Sequence, residues 1–227
     1  MNDEKIITDL LGTDEATQMG LEKMVGYRQK MMCYQCAMLE VKTKLDVLNA
    51  ELSQDSDMNP IESIKCRLKT PLSILEKIKR KGLPFELDSL DELNDIAGVR
   101  VICSFLSDIY VLRNYLVRQD DVEVVHEKDY IAHPKPNGYR SLHLLLSIPI
   151  FLSNEKKYMH VEVQFRTIAM DFWASNEHKL AYKQDGTNDP EVVAALAKCA
   201  AAINHVDMAM QEIRSSVQGS VDEMHNK

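Results

Sequence analysis

Residues 142–152 read LHLLLSIPIFL, the longest apolar stretch of the chain. A histidine, a serine and a proline interrupt it, and at this length it is too short to cross a bilayer as a helix. Such a run has to be buried inside the protein. Rich in Leu and Ile and preceded by the Asn137-Gly138 turn pair, the segment 139–148 reads as a strand. GVRVICSF (98–105), VEVVHEKDYI (122–131) and YMHVEVQFRT (158–167) read the same way, and a shorter extended piece occupies 62–68. Between them lie helix patterns at 71–81, stopped by Gly82, at 107–119, starting at Ser107, and at 167–183. Strands joined both by helices and by hairpin-like links predict an α+β fold, a mixed β-sheet of about five strands flanked by helices.

Two long helices bracket this core. Over about 17–53, Met24, Tyr27, Met31, Tyr34, Met38, Val41, Leu45, Leu48 and Leu52 recur at alternating spacings of three and four. Near the C-terminus Leu196, Cys199, Ile203, Val206, Met210, Ile213 and Val217 repeat the pattern. Both seams read as packing surfaces, and two of them on a small protein predict helices packing between subunits of a homo-oligomer. The organisation expected is an N-terminal helical region over 1–57, ending in the polar break SQDSDMNP, then a core over 58–183 and a C-terminal helix over 184–227. Both end regions are assigned to oligomerisation.

At 227 residues the chain suits one domain with appended helices, and 45% hydrophobic against 27% charged residues is enough for an ordinary core. A net charge of −8 argues against a surface that tracks DNA throughout, yet leaves room for a local basic pocket. The N-terminus MNDEKIITDLLG lacks the apolar centre of a signal peptide. Five scattered cysteines do not form a disulfide framework. A reducing cytoplasm, away from membranes, is the compartment these features predict. Cys33-x-x-Cys36 lies in a helical stretch with no second pair, so it reads as helix packing rather than a zinc or redox motif.

Three constellations carry possible chemistry. KCRLKTPLSILEKIKRK (65–81) holds seven Lys/Arg and one Glu. Its helical part sets Ser73, Lys77, Arg80 and Lys81 on one face and Leu72, Leu75 and Ile78 on the other, while Arg67 and Lys69 point the same way from the extended piece before it. In HVEVQFRT (160–167) alternation turns Val161, Val163 and Phe165 inward and His160, Glu162, Gln164 and Arg166 outward, ahead of a helix with Trp173, Glu177, His178 and Lys183. In NDIAGVRVI (94–102) Asp95 precedes a strand that carries Arg100. Asp95 and Glu162 together would make a two-carboxylate Mg²⁺ site beside substrate phosphates. Taken singly, each has a plain structural explanation: a solvated basic helix, a solvated strand face, a turn residue. The sequence contains neither the Gly-rich Lys-Ser/Thr phosphate loop nor GxGxxG, and no nucleophile elbow.

Taken in order, RLKTPLSILEKIKRKG, DIAGVRVICSFLSDIY, KDYIAHPKPNGYRSLH and HVEVQFRTIAMDFWASNEHKLAYK resemble the RelA/SpoT-homologue synthetases, over about 58–183. The size, with helical additions at both ends, resembles the small single-domain members; no His-Asp dipeptide of the hydrolase domain occurs. The resemblance implies a nucleotidyltransferase-like synthetase domain that transfers pyrophosphate from ATP to the 3′-hydroxyl of GDP or GTP, releasing AMP, in stringent-response signalling. It implies that Arg67 and Arg100 sandwich adenine and that Lys69, Ser73, Lys77 and Arg80 hold the ATP phosphates. Asp95 and Glu162 would be the catalytic carboxylates and bind Mg²⁺, with Glu162 also placed to deprotonate the ribose hydroxyl. Tyr139 would stack on guanine, Lys135, Asn137 and His143 would take the acceptor's phosphates, and Gln164 would lie near its ribose. Arg140 has no place in this scheme. The resemblance also implies a tetramer.

The need for such a basic cluster is physical: phosphoryl transfer is mostly positioning and charge neutralisation, and a ribose hydroxyl needs a carboxylate and a metal to become a nucleophile. Two other readings share these residues. One is pyrophosphorylation of tRNA 3′ ends, which would favour basic patches outside the pocket. The other is a non-catalytic nucleotide or single-stranded RNA sensor. One main basic cluster and a pair of carboxylates favour the free-nucleotide synthetase; RNA binding is not indicated.

Overall fold

The computed structural model describes residues 15–55, 59–182 and 190–225. Lys183 and the residues before Glu15 lie outside this description, as do the first residues of the expected C-terminal region. Helix α1 spans Glu15–Asp55, β1 Ile61–Leu68, α2 Pro71–Lys81, β2 Ala97–Cys103, α3 Leu106–Val117 and β3 Glu123–Asp129. They are followed by β4 Leu142–Phe151, β5 Lys156–Thr167, α4 Ile168–Tyr182 and α5 Pro190–His225. The five strands form one sheet in the order β1-β2-β5-β4-β3. β2 and β5 run parallel, and every other neighbouring pair is antiparallel. The α+β fold with a mixed five-stranded sheet and long terminal helices is therefore the observed one.

The pattern in each element explains its place. β5 buries Val161, Val163 and Phe165 completely, and β4 buries Leu142, Leu144, Leu146 and Ile148 beside them. Helix α1 lies on this face: Tyr34, Val41 and Leu45 share one core with the strands. Most of the N-terminal seam is thus used within its own chain, while Met24 at its start stays exposed. A sheet face this apolar needs a helix over it, and the seam supplies one. Cys33 packs in the same core while Cys36 is half-buried.

Helix α2 has the predicted bounds. Thr70 caps its start, where its hydroxyl accepts from the Ser73 amide at 3.3 Å, and Gly82 ends it in the left-handed region at φ 68°. Its buried face differs from expectation. Ile74 and Ile78 enter the core, whereas Leu72 and Leu75 are exposed. An i, i+4 pair suffices where only one edge of the helix meets the sheet. Helix α3 begins one residue before Ser107; the Phe105 amide instead donates to the Asp108 carboxylate at 3.1 Å.

Helix α5 is apolar along much of its length: within Pro190–Val217 an 18-residue window reaches a mean hydropathy of 1.3. Polar ties dock it on the body: Asp207 accepts from the Thr167 hydroxyl at 2.6 Å, and Arg214 pairs with the buried Asp108. Of its seam, Leu196 and Ile203 pack beside Trp173 and Tyr139, while Val206, Met210, Ile213 and Val217 stay exposed.

Candidate active site

Strand register brings the outward-facing residues together. Arg67 stands opposite Gly98 and Gly98 opposite Glu162; one row over, Lys65 faces Arg100, Arg100 faces Gln164 and Gln164 faces His143. Since side chains alternate along each strand, all these residues emerge on the face opposite the α1 core. A cavity of about 520 Å³ opens there, lined by Lys65, Arg67, Lys69, Ser73, Asp95, Arg100, Glu162, Gln164 and His178. Gly98 adds no side chain to its floor, which leaves the space between Arg67 and Glu162 clear.

One half of the site is charge-rich. Lys69 Nζ donates to Asp95 Oδ2 at 2.9 Å, and Lys77 Nζ lies 2.7 Å from Oδ1. Each Asp95 oxygen therefore faces a lysine ammonium group. Burial pushes the Asp95 carboxyl up, but the two ammonium groups outweigh it and hold it below the usual carboxylate range. The N-terminus of α2, with Ser73 in its first turn, points partial positive charge into the same space. Arg80 follows Lys77 on α2 but is exposed and does not line the cavity.

The other half is a ring of aromatic and polar groups. Glu162 Oε1 lies 3.3 Å from His143 Nδ1, and Glu162 Oε2 accepts from Gln164 Nε2 at 2.9 Å. Burial raises the Glu162 carboxyl, and these two partners more than reverse it, keeping it ionised at neutral pH; the nearby Asp95 charge opposes them. His143 Nε2 meets the Tyr139 hydroxyl at 2.7 Å. Tyr139 also accepts from Arg166 Nη2 at 2.9 Å, and its ring touches Tyr130, His143 and Trp173 edge-on or tilted. Lys135 Nζ sits 4.8 Å from the Tyr139 ring centroid.

Asn137 acts locally. Its Oδ1 accepts from the Tyr139 amide at 3.1 Å, an Asx turn that shapes the loop. Neither Asn137, Lys135 nor Tyr139 lines the large cavity. Tyr139 connects to it through His143 and Glu162. Gly138 has φ 88°, and a Cβ built there would fall 2.4 Å from Ala200 Cβ on α5. The loop is therefore backed directly by the C-terminal helix. Arg140 finds its place here: Nη1 points to the Ala200 carbonyl at 3.5 Å.

Several functional neighbours carried no assigned role in the sequence. Lys65 shares the parity of Arg67, and Arg166 shares that of Glu162 and Gln164, so both were within reach of alternation. Asp171, buried under Arg100 and Arg166, had no such signal.

Asp95 and Glu162 suit magnesium: two hard carboxylates line one cavity, with room beside them for phosphate oxygens. Among the described residues no cluster of three or more His, Cys, Asp or Glu forms a closed metal cage.

In sequence and in fold the chain is similar to known proteins. The family model for a region found in RelA/SpoT proteins matches residues 66–187. The chain belongs to the RelA/SpoT family. Among curated relatives, GTP pyrophosphokinase YwaC of Bacillus subtilis is 41% identical over 195 residues, which is 86% of this chain and 93% of that protein. GTP pyrophosphokinase YjbM of the same organism is 40% identical, over 86% of this chain and 88% of its own. The solved structure of small alarmone synthetase 1 from Bacillus subtilis bound to its product pppGpp superposes with a TM-score of 0.78 at 38% identity, covering 85% of this chain and 98% of that one. The same synthetase bound to AMPCPP gives 0.72 at 35% identity, with 85% and 98% covered.

Proposed function

We propose that the chain is a small alarmone synthetase that moves pyrophosphate from ATP to the 3′-hydroxyl of GDP or GTP and releases AMP. The observation that carries this reading is the convergence, in a RelA/SpoT fold, of a cationic cavity with Glu162, which His143 links to Tyr139. Relatives covering nearly the whole chain are named GTP pyrophosphokinases.

In this scheme the acceptor's 3′-oxygen bonds to the β-phosphorus of ATP, and the bond from that phosphorus to the α–β bridging oxygen breaks. Arg67 and Arg100 hold adenine between them, while Lys69, Ser73, Lys77 and Arg80 balance the phosphate charge. Tyr139 stacks on guanine, Lys135 and His143 meet the acceptor's phosphates, and Gln164 sits near its ribose. Glu162 takes the hydroxyl proton. Its depressed pKa makes it a weak base on its own, so the hydroxyl must be acidified first. Magnesium held by Asp95 and Glu162 would supply that acidification and neutralise the transferred phosphates. Asp95, clamped by two lysines, keeps the cationic groups aimed at the cavity.

Chromatography of products from ATP with GDP or with GTP, with and without magnesium, tests the reading. The expected product is a guanosine 3′-diphosphate species formed only with magnesium. Labelling of tRNA instead of the free nucleotide, or nucleotide binding with no turnover, would replace it. Neither alternative is carried by an observation here, since Lys65, Arg67 and Lys69 all line the one cavity.

The exposed stripe Val206, Met210, Ile213 and Val217 on α5 supports self-association, and we propose a tetramer in the cytoplasm. Light scattering of the wild type and of Ile213→Ser checks this; an unchanged mass for the variant would remove α5 from the interface.

A further inference from the structure

Asp171, in the first turn of α4, holds together two arginines that serve opposite halves of the cleft. Its carboxylate is only 8% exposed. A single oxygen, Oδ1, accepts from Arg100 Nη1 at 3.2 Å and from Arg166 Nη1 at 3.1 Å, and Oδ2 accepts from Lys65 Nζ at 3.1 Å. Arg166 is itself buried, and its Nη2 goes on to the Tyr139 hydroxyl at 2.9 Å and Gln164 Oε1 at 3.0 Å. Direct contacts therefore run from a guanidinium in the ATP cavity, through one carboxylate oxygen, to the ring offered to guanine.

Two guanidinium groups this close repel each other. Burial and the Arg166 charge push the Arg100 pKa down, and the carboxylate opposes them. The Nε atoms of both arginines are buried without hydrogen-bond partners, so side-chain hydrogen bonding at their terminal nitrogens sets their orientation. A base stacked on Arg100 restrains it against Asp171. A base stacked on Tyr139 restrains Arg166 against the same oxygen. Whichever nucleotide arrives first orders a network that the second then finds in place, which is positive coupling without a large movement.

Resting on the functional reading above, we propose that Asp171 is a positioning residue that couples the two nucleotide sites, so that each substrate raises the affinity for the other. The test is calorimetric titration of a non-hydrolysable ATP analogue with and without saturating GDP, and of GDP with and without the analogue. In the wild type both affinities rise by the same factor, about fivefold or more. In Asp171→Asn each nucleotide still binds alone, and the factor falls to about one. A merely structural role would weaken both nucleotides and leave the factor unchanged, and that result overturns the proposal. Tyr139→Phe is the second variant, because it keeps the stacking ring and removes the hydroxyl that bonds both Arg166 and His143. It too is expected to lose the factor while binding GDP, and a Tyr139→Phe protein with the wild-type factor sinks the idea. A wild type that binds both nucleotides without coupling overturns this inference alone; one that binds no guanine nucleotide overturns the functional reading with it.

Discussion

Arg67, Lys69, Lys77, Asp95 and Arg100 come from one stretch of chain, and Lys69 and Lys77 meet at Asp95 by direct ion pairs. The acceptor half is put together differently. Tyr139 reaches Glu162 through His143, is bonded by Arg166 from β5, and sits on a loop backed by Ala200 of α5. A half built from local sequence is charged and leans on the rest of the molecule mainly where Arg100 meets Asp171. A half built from distant segments depends on how those segments dock, so it is the one that packing elsewhere in the molecule can tune.

Four substitutions probe this contrast. Glu162→Gln stands where the halves meet and should cost both equally. Turnover is expected to fall roughly 10²–10⁴-fold, with both nucleotides still bound, as single-turnover kinetics and direct titration would show. Near-normal turnover would remove Glu162 from proton transfer. Tyr139→Ala should act directly on one side, weakening guanine nucleotide by about 1–3 kcal/mol while leaving the binding of ATP in the absence of GDP nearly unchanged. Arg67→Ala is its mirror, with a loss of about 1–2 kcal/mol in ATP binding and little effect on GDP. If either variant weakened both nucleotides alike, the halves would not be separable.

The smallest effect is expected for Gly138→Ala. A left-handed backbone and the contact with Ala200 together strain the loop by about 1–3 kcal/mol, part of which appears as a lower Tm. The KM for GDP should rise less than in Tyr139→Ala, and ATP should be untouched. A variant with an unchanged KM for GDP would show that α5 does not set the acceptor loop.

Much of this was legible in the residues themselves. Alternation in HVEVQFRT put Glu162 and Gln164 on one face, and the i, i+2 spacing of Arg67 and Lys69 did the same on β1; all four line the cavity. Helix α2 kept its predicted ends because Thr70, Pro71 and Gly82 are local signals. Its buried face was misjudged, since Leu72 and Ile74 differ only in which one meets the sheet. Asp171 carried no signal at all: a carboxylate in the first turn of a helix is ordinary, and only the arginines converging above it make it a hub.

The two heptad-like seams state the limit most clearly. Both alternate spacings of three and four, and period alone made them equal. Leu45 on α1 is wholly buried under the sheet, while Ile213 on α5 is 57% exposed. Local chemistry, meaning strand alternation, helix caps and the basic cluster before Asp95, was settled by the sequence, because each depends on residues a few positions apart. Which seam covers the sheet, which backs the acceptor loop, and which carboxylate ties the two arginines together depend on contacts between residues far apart in the chain, and only the tertiary structure decided them.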